Sequence, residues 1–304
     1  MRFRTKKTWL AAIAVVIVGI PTAYIALHRG DNPDAVLVFP GGNSRETYFT
    51  LHNVKAAQAY STGGGVKVGI LDHSFATELH PALYAGARNF VEGSDEFLTT
   101  REWHGYWMAT VLHEIAPGAK IYALNTYSFA GQAQRAKAMS DAITWAIENK
   151  LDVLSYSAAA FDGESRTLLD AALQRAHDAG IVTAFLHVAE PGNILPSGLW
   201  NGTEDGREPD VNVLQYDYSV VFIDDYRKAV AGQKGRQPPF LSLSSTAPVV
   251  AGVVALIKNL KPDLTPAECQ AILRETSRPL DYNGRKPTRV LDALAAVERV
   301  KRMS

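Results

Sequence analysis

Three polar residues of this chain have the types needed to activate a hydroxyl for attack on an acyl group: Asp72, His104 and Ser244. A serine hydroxyl is a weak nucleophile until a neighbouring imidazole takes its proton. The imidazole works best when a carboxylate orients it. Each residue also has an ordinary structural reading. Asp72 closes the apolar run Val66–Leu71, and a solvated aspartate at a strand end is common. His104 opens an apolar stretch running to Ile115 and could pack among Trp103, Tyr106 and Trp107. Ser244 precedes Ser245-Thr246-Ala247-Pro248, where serine suits a helix N-cap and proline the first turn. Singly, the three are weak signals.

The elements that must position them follow from periodicity. Val66-Lys67-Val68-Gly69-Ile70-Leu71 comes after the turn triplet Gly63-Gly64-Gly65 and predicts a buried strand. Lys120–Leu124, Leu151–Tyr156 and Ile181–Leu186 read the same way. Ala133–Asn149 has helical spacing, with Ala138, Ala142, Trp145 and Ala146 on one side. Leu168–Ala179 is a helix ended by Gly180. Ser245–Leu260 predicts a very apolar helix, Pro266–Glu275 one announced by the cap Thr265, and Asp292–Arg302 a last one. Val211–Ile223 alternates in part and predicts an antiparallel hairpin arm. Strand–helix alternation gives an α/β fold: a doubly wound, mostly parallel sheet flanked by helices. Sites in such sheets form at the carboxyl ends of strands, and Asp72 stands at one.

Composition narrows the function classes. The chain has 304 residues, 47% of them hydrophobic, with 31 Lys+Arg against 31 Asp+Glu. That excludes a disordered chain and argues against a nucleic-acid binder, which usually shows a basic excess. The single cysteine, Cys269, excludes a disulfide scaffold and any Cys-cluster zinc site. The neutral total hides two unlike parts. Residues 1–30 hold five basic residues and no acidic one, leaving 26 basic against 31 acidic residues in the rest. Trp9–Leu27 is a 19-residue run without charge, close to the ~20 residues that cross a bilayer core. Arg2, Arg4, Lys6 and Lys7 before it place the N-terminus in the cytoplasm and the body outside. The expected organisation is a signal-anchor segment at 1–30, a spacer at 31–48 and one α/β domain at 49–304. The domain is then membrane-anchored and extracytoplasmic, or secreted or periplasmic where the leader is cleaved. Nothing in the sequence encodes an oligomeric state.

Several blocks in register carry a likeness. Val66-Lys67-Val68-Gly69-Ile70-Leu71-Asp72 with His80-Pro81-Ala82-Leu83 resembles the first motif of the subtilisin-like serine peptidases (subtilases). His104-Gly105 with Ile115-Ala116-Pro117-Gly118-Ala119 resembles the second. Ser244 through Gly252, then Ala255-Leu256 and Pro262, resembles the third. The order Asp, His, Ser is that of the subtilisin-type triad, and the likeness runs from about residue 50 to 297. It implies a serine endopeptidase acting on protein or peptide substrates and needing no cofactor. Ser244 is then the nucleophile, His104 the general base and acid, and Asp72 the orienting carboxylate. By the same resemblance, Ser157-Ala158-Ala159 forms the edge that pairs with an extended substrate.

The departures leave a second reading open: a catalytically impaired subtilase-fold binding or scaffold protein. Family members usually carry Gly-Thr before the nucleophile, where this chain has Ser242-Leu243. After Ile181–Leu186 the expected Asn is missing, and Leu186-His187-Val188-Ala189 stands there instead. Asn193, after Pro191-Gly192, is the oxyanion candidate if an insertion shifts the alignment, and His187 is a weaker one. Residues 28–48 are too short for the folding prosegment of secreted members. No metal ligand set is legible: His73, His80 and His113 lack metal-type spacing. The acidic stretch Glu204, Asp205, Glu208 and Asp210 reads as a solvated loop, so structural Ca²⁺ has no motif behind it. Asn201-Gly202-Thr203 matches a glycosylation sequon.

Overall fold

The computed structural model describes residues 49–303 except 94, 129, 159, 189, 199–207, 215, 218–240 and 283–284. The expected anchor and spacer (1–48), the sequon at 201–203, Glu204, Asp205 and the candidate Ala159 lie outside the described residues.

Five parallel strands form the central sheet: β1 (Lys67–Asp72), β2 (Gly86–Asn89), β3 (Lys120–Asn125), β4 (Val153–Tyr156) and β5 (Val182–Phe185). Their order is β2-β3-β1-β4-β5, with every neighbouring pair parallel. β1 is central because it is apolar on both faces: five of its six residues are buried, as a strand covered by helices on both sides requires. From β1 the chain builds one half of the sheet, then crosses to β4 and β5, so a switch point opens beside the end of β1. The register sets Asp72 opposite Asn125 and Leu71 opposite Tyr156. The carboxyl ends of β1, β3 and β4 therefore finish level.

Helices cover both faces. Before β1 comes α1 (Val54–Gln58), and between the strands run α2 (Glu96–Thr99), α3 (His104–Ile115), α4 (Gln132–Glu148) and α5 (Gly163–Asp178). After them come α6 (Thr246–Leu260), α7 (Pro266–Thr276) and α8 (Ala293–Lys301). On one face Leu71, Leu124, Leu154, Tyr156 and Phe185 pack with Ala136, Met139, Ile143, Leu169 and Leu173 of α4 and α5. Side chains alternate along a strand, so Val68, Ile70, Ala123, Val153 and Ala184, all buried, face the opposite layer, where α6 packs against β1, β4, β5 and α3. Each fully buried Val, Leu or Ile contributes about 1.5–3 kcal/mol.

α6 is the one helix among the described residues that is long and apolar enough to cross a membrane. Yet 78% of the window Leu243–Leu260 is buried within the fold. A helix apolar all round is a core helix when protein surrounds it, and α6 is that. α7 starts where Thr265 predicts: its side chain accepts from the Glu268 amide (3.2 Å), and the Glu268 carboxylate answers the Thr265 N–H (2.8 Å).

Two expectations are corrected. Val211–Ile223 is an antiparallel arm over only a small part of its described residues. β7 (Val211–Val213) pairs parallel with β6 (Pro196–Gly198) and with the strand Arg285–Val290. Only β8 (Tyr216–Asp217) is antiparallel, against β9 (Leu241–Ser242). A three-residue alternating segment fits either pairing, and buried Asn212 is held through the Arg289 carbonyl (2.9 Å). The second correction concerns Ser244. It is no helix cap but the middle of a 3₁₀ turn, Leu243–Ser245, with α6 beginning directly after that turn at Thr246.

Candidate active site

The carboxyl end of β1 delivers Asp72 into the interior, 4% exposed. Its Oδ1 accepts the backbone N–H of His73 (2.8 Å). Its Oδ2 stands 2.7 Å from His104 Nδ1. A carboxylate only accepts, so Nδ1 carries the proton and Nε2 is left with its lone pair toward the cleft.

The start of α3 fixes the His104 imidazole in place by docking on the loop that follows Asp72. The first N–H groups of a helix lack partners within it, and here neighbouring carbonyls supply them. Gly105 N–H donates to the His73 carbonyl (2.7 Å), Tyr106 N–H to that of Ser74 (3.1 Å), and Trp103 N–H to the same oxygen (3.1 Å). The approach demands glycine. A Cβ on Gly105 would stand 2.5 Å from the His73 carbonyl oxygen and 2.8 Å from the Phe75 ring. Gly105→Ala should therefore displace the helix start and the His104 ring with it. We expect a stability loss of about 1–3 kcal/mol from overpacking and roughly 10²-fold lower turnover from misplacement. Denaturant melts and steady-state kinetics would check both, and unchanged kinetics would contradict this account of the dock.

Ser244 comes from the far end of the chain. Its 3₁₀ turn packs against α3, and α6 points its N-terminal end, the positive end of its dipole, at this turn. Close helix contact makes that possible: a Cβ on Gly252 of α6 would meet Ile115 of α3 at 2.7 Å. The Ser244 hydroxyl donates to the Ser157 carbonyl (3.1 Å), and the Ser157 hydroxyl donates back to the Ser244 carbonyl (2.8 Å). Ser157, just past β4, is thus tied to Ser244, and Ala158 beside it is half-buried.

Asn193 does not fit the oxyanion role expected for it. Its side chain is 1% exposed and fully used. Oδ1 accepts from Thr183 Oγ1 (2.8 Å) and Phe185 N–H (3.0 Å). Both amide hydrogens go to the carbonyls of Phe185 (3.2 Å) and Val188 (2.6 Å). An amide has two N–H donors, so none remains for a substrate; Asn193 instead staples the turn after β5. His187 sits in that turn with φ 59°, a left-handed backbone uncommon outside glycine.

Two groups were not singled out from the sequence for this site. His73 lies beside the His104 ring, centroids 6.0 Å apart and 18° from parallel, and burial holds its pKa below the ordinary value. Tyr127, following β3, lies 4.7 Å from His73. Position just past a strand's carboxyl end was the available signal. For His104, burial pulls the pKa down most, but the charge and hydrogen bond of Asp72 lift it above the ordinary 6.5. Among the described residues no three His, Cys, Asp or Glu side chains are placed to hold a metal. Asp210 is occupied by Leu195 N–H and Gln270.

Known proteins resemble this chain in sequence and in fold. The model of the subtilase family (Peptidase_S8) matches residues 63–211, a stretch that includes Asp72 and His104 and stops before Ser244. Subtilisin DY of Bacillus licheniformis is 32% identical over 154 residues, 48% of this chain and 53% of its own length. A thermostable alkaline protease of Halalkalibacterium halodurans is 26% identical over 241 residues, 71% of this chain and 63% of its own length. The chain thus spans between about two fifths and two thirds of the length of the curated relatives it matches. Among solved structures, the serine protease MycP1, described as an essential component of the type VII (ESX-1) secretion system, superposes with a TM-score of 0.62. It is 18% identical, with 86% of this chain and 90% of that one covered. A protease of Pseudoalteromonas arctica gives 0.60 at 18% identity, covering 85% and 99%. At such identities the structures speak for the fold alone; the family match covers just under half of the chain, and sequence and fold alike resemble the subtilase family.

Proposed function

We propose that this chain is a serine endopeptidase in which Ser244 attacks a peptide carbonyl. The Asp72–His104 hydrogen bond, with the Ser244 turn packed on the same helix, is the observation that carries the reading. In the first step Ser244 Oγ leaves the Ser157 carbonyl, gives its proton to His104 Nε2 and bonds to the substrate carbonyl carbon. The oxyanion develops near backbone N–H groups at the start of α6, where the helix dipole favours negative charge. The imidazolium, stabilised by Asp72, then protonates the leaving amine as the C–N bond breaks. Water hydrolyses the acyl-enzyme by the same route in reverse. Ser157 and Ala158 offer backbone groups to an extended substrate, a pairing that reads shape more than sequence.

The state of His104 sets the pH dependence. An imidazolium cannot accept the serine proton, so kcat/KM should fall as pH drops through the raised pKa and level off above it. The inflection is expected above 6.5. In Asp72→Asn the lifting charge is gone and burial remains, so the inflection should move down. Digestion of an unfolded protein across pH 5–9, read as new amino termini, checks this. An inflection unmoved by Asp72→Asn would contradict the pairing.

Saturation of Asn193 favours a second reading, a subtilase-fold binding or scaffold protein. Loss of one side-chain oxyanion donor costs roughly 10²–10³ in turnover, the size known for subtilisin itself, so the first reading expects a slow enzyme and the second none. Placement at a membrane rests on the charge-free run Trp9–Leu27 and the basic residues before it. Full chain should sediment with membranes and a chain starting at residue 31 should not; equal behaviour of both would contradict the tether.

A further inference from the structure

The wall beyond His104 holds a cation that the mechanism above does not use. Past the His104 and His73 rings lies Tyr127, and the Arg135 guanidinium sits 4.3 Å from the centre of the Tyr127 ring. Phe161 flanks the same guanidinium at 6.0 Å. Tyr127 follows β3 and Phe161 follows β4, so Arg135, in the first turn of α4, is enclosed by the two segments that leave the sheet beside Ser157 and Ala158. Aromatic faces attract a cation but do not fill its hydrogen-bonding positions. The Tyr156 hydroxyl also lies close enough to feel the Arg135 charge. The Arg135 Nε–H is buried and has no acceptor among the described residues. That atom is closed to solvent, but the side chain as a whole is only half-buried, so part of it stays open to a ligand.

We propose that Arg135 is a specificity-determining residue that recognises an acidic side chain of the substrate. The planar guanidinium fork matches the two oxygens of a carboxylate better than any neutral group. Ring-to-ring steps of 6.0, 4.7 and 4.3 Å put the guanidinium within roughly 15 Å of the His104 ring, and an extended chain rises ~3.3 Å per residue. The acidic residue therefore stands within about four or five residues of the scissile bond. It lies on the side that pairs with Ser157 and Ala158. The inference rests on the peptidase reading and adds a substrate class to it.

Two measurements on the full chain test it and keep the two readings apart. The first compares kcat/KM for peptides carrying Asp or Glu with matched peptides carrying Asn or Gln at each position before the cleaved bond. At one position the acidic peptide should be preferred about 10–100-fold, the reach of a charged hydrogen bond. Arg135→Gln should bring that ratio close to one, and Arg135→Glu should invert it toward Lys; melting curves confirm that both variants fold. The second measures binding of the same peptides to Ser244→Ala, with and without Arg135→Gln, by calorimetry. A preference that disappears with Arg135 in either measurement supports the inference. A ratio near one in the parent, or a preference that survives Arg135→Gln, overturns it while leaving the peptidase reading intact. If the parent cleaves no peptide, the peptidase reading fails, and binding alone decides the role of Arg135.

Discussion

Ser244→Ala should reduce peptide hydrolysis to background, and His104→Ala should do the same. The losses should not add in the double variant, because proton transfer and attack form one step. In subtilisin itself such knockouts cost about 10⁶ in kcat. Here the starting rate should be lower, since Asn193 spends both amide hydrogens on the Phe185 and Val188 carbonyls. A parent slowed about 10²–10³ for want of that donor leaves a readable drop of roughly 10³–10⁴. Asp72→Asn should keep the geometry and still lose a large factor, about 10⁴ where full catalysis is present. An amide in place of the carboxylate can donate to Nδ1 and hold the imidazole in the wrong tautomer. Kinetics of the four variants, each with a melting curve, check the set; a Ser244→Ala variant that retains parental turnover would contradict it.

The fold should lose stability between pH 6.5 and about 4, and His52 should be a leading cause. Its side chain is 0% exposed. Nδ1 lies 2.8 Å from the Leu291 carbonyl, and Nε2 accepts the Leu214 N–H at 3.0 Å. Only the neutral ring with its proton on Nδ1 satisfies both, and a proton on Nε2 would face an N–H. Burial is the main force holding the pKa down to about 4; the Leu291 hydrogen bond and Asp292 raise it, and Arg278 lowers it. The folded pKa is below the unfolded value, so stability is complete above pH 6.5 and is lost as pH falls toward 4, where the unfolded chain alone takes the proton. At 1.36 kcal/mol per pKa unit the loss reaches about 3 kcal/mol. His73 and His177, also lowered mainly by burial, act in the same direction. Urea midpoints at pH 7.5, 5.5 and 4.5 should fall in the parent and fall less in His52→Gln. Equal slopes in both would contradict the assignment.

The effect is large because His52 joins remote parts of the chain. Its partners lie 162 and 239 residues away, and the Ala293 N–H donates to its carbonyl (2.9 Å). No sequence pattern announces such a latch; it exists only once α8 and β7 meet the start of the body.

Other features were legible because local chemistry and global placement agree. The apolar run before Asp72 had to be a buried strand, and it is the centre of the sheet. His104 begins a helix as expected, and Thr265 caps α7 with the Glu268 that follows it. The 3₁₀ turn under Ser244 was not legible, because serine before an apolar helix reads equally well as a cap. Nor was the pair of antiparallel strands Arg278–Tyr282 and Arg285–Val290, although Asn283-Gly284 between them is a hairpin signal. Arg278-Pro279 and Lys286-Pro287 obscure the alternation that marks strands. Asn193 shows how an amide near the right position can be absorbed by structure: it follows Gly192, whose φ of 85° turns the chain back toward β5.

Active-site labelling tests the central claim most directly. The full chain should be incubated with a fluorophosphonate and digested, and the adduct located by mass spectrometry. The Asp72–His104–Ser244 account predicts one adduct on Ser244 in the parent, abolished in Ser244→Ala and slowed at least about 10²-fold in His104→Ala, since general-base assistance contributes 10²–10⁴. No adduct in the parent, or equal labelling of Ser244 after removal of His104, would contradict it.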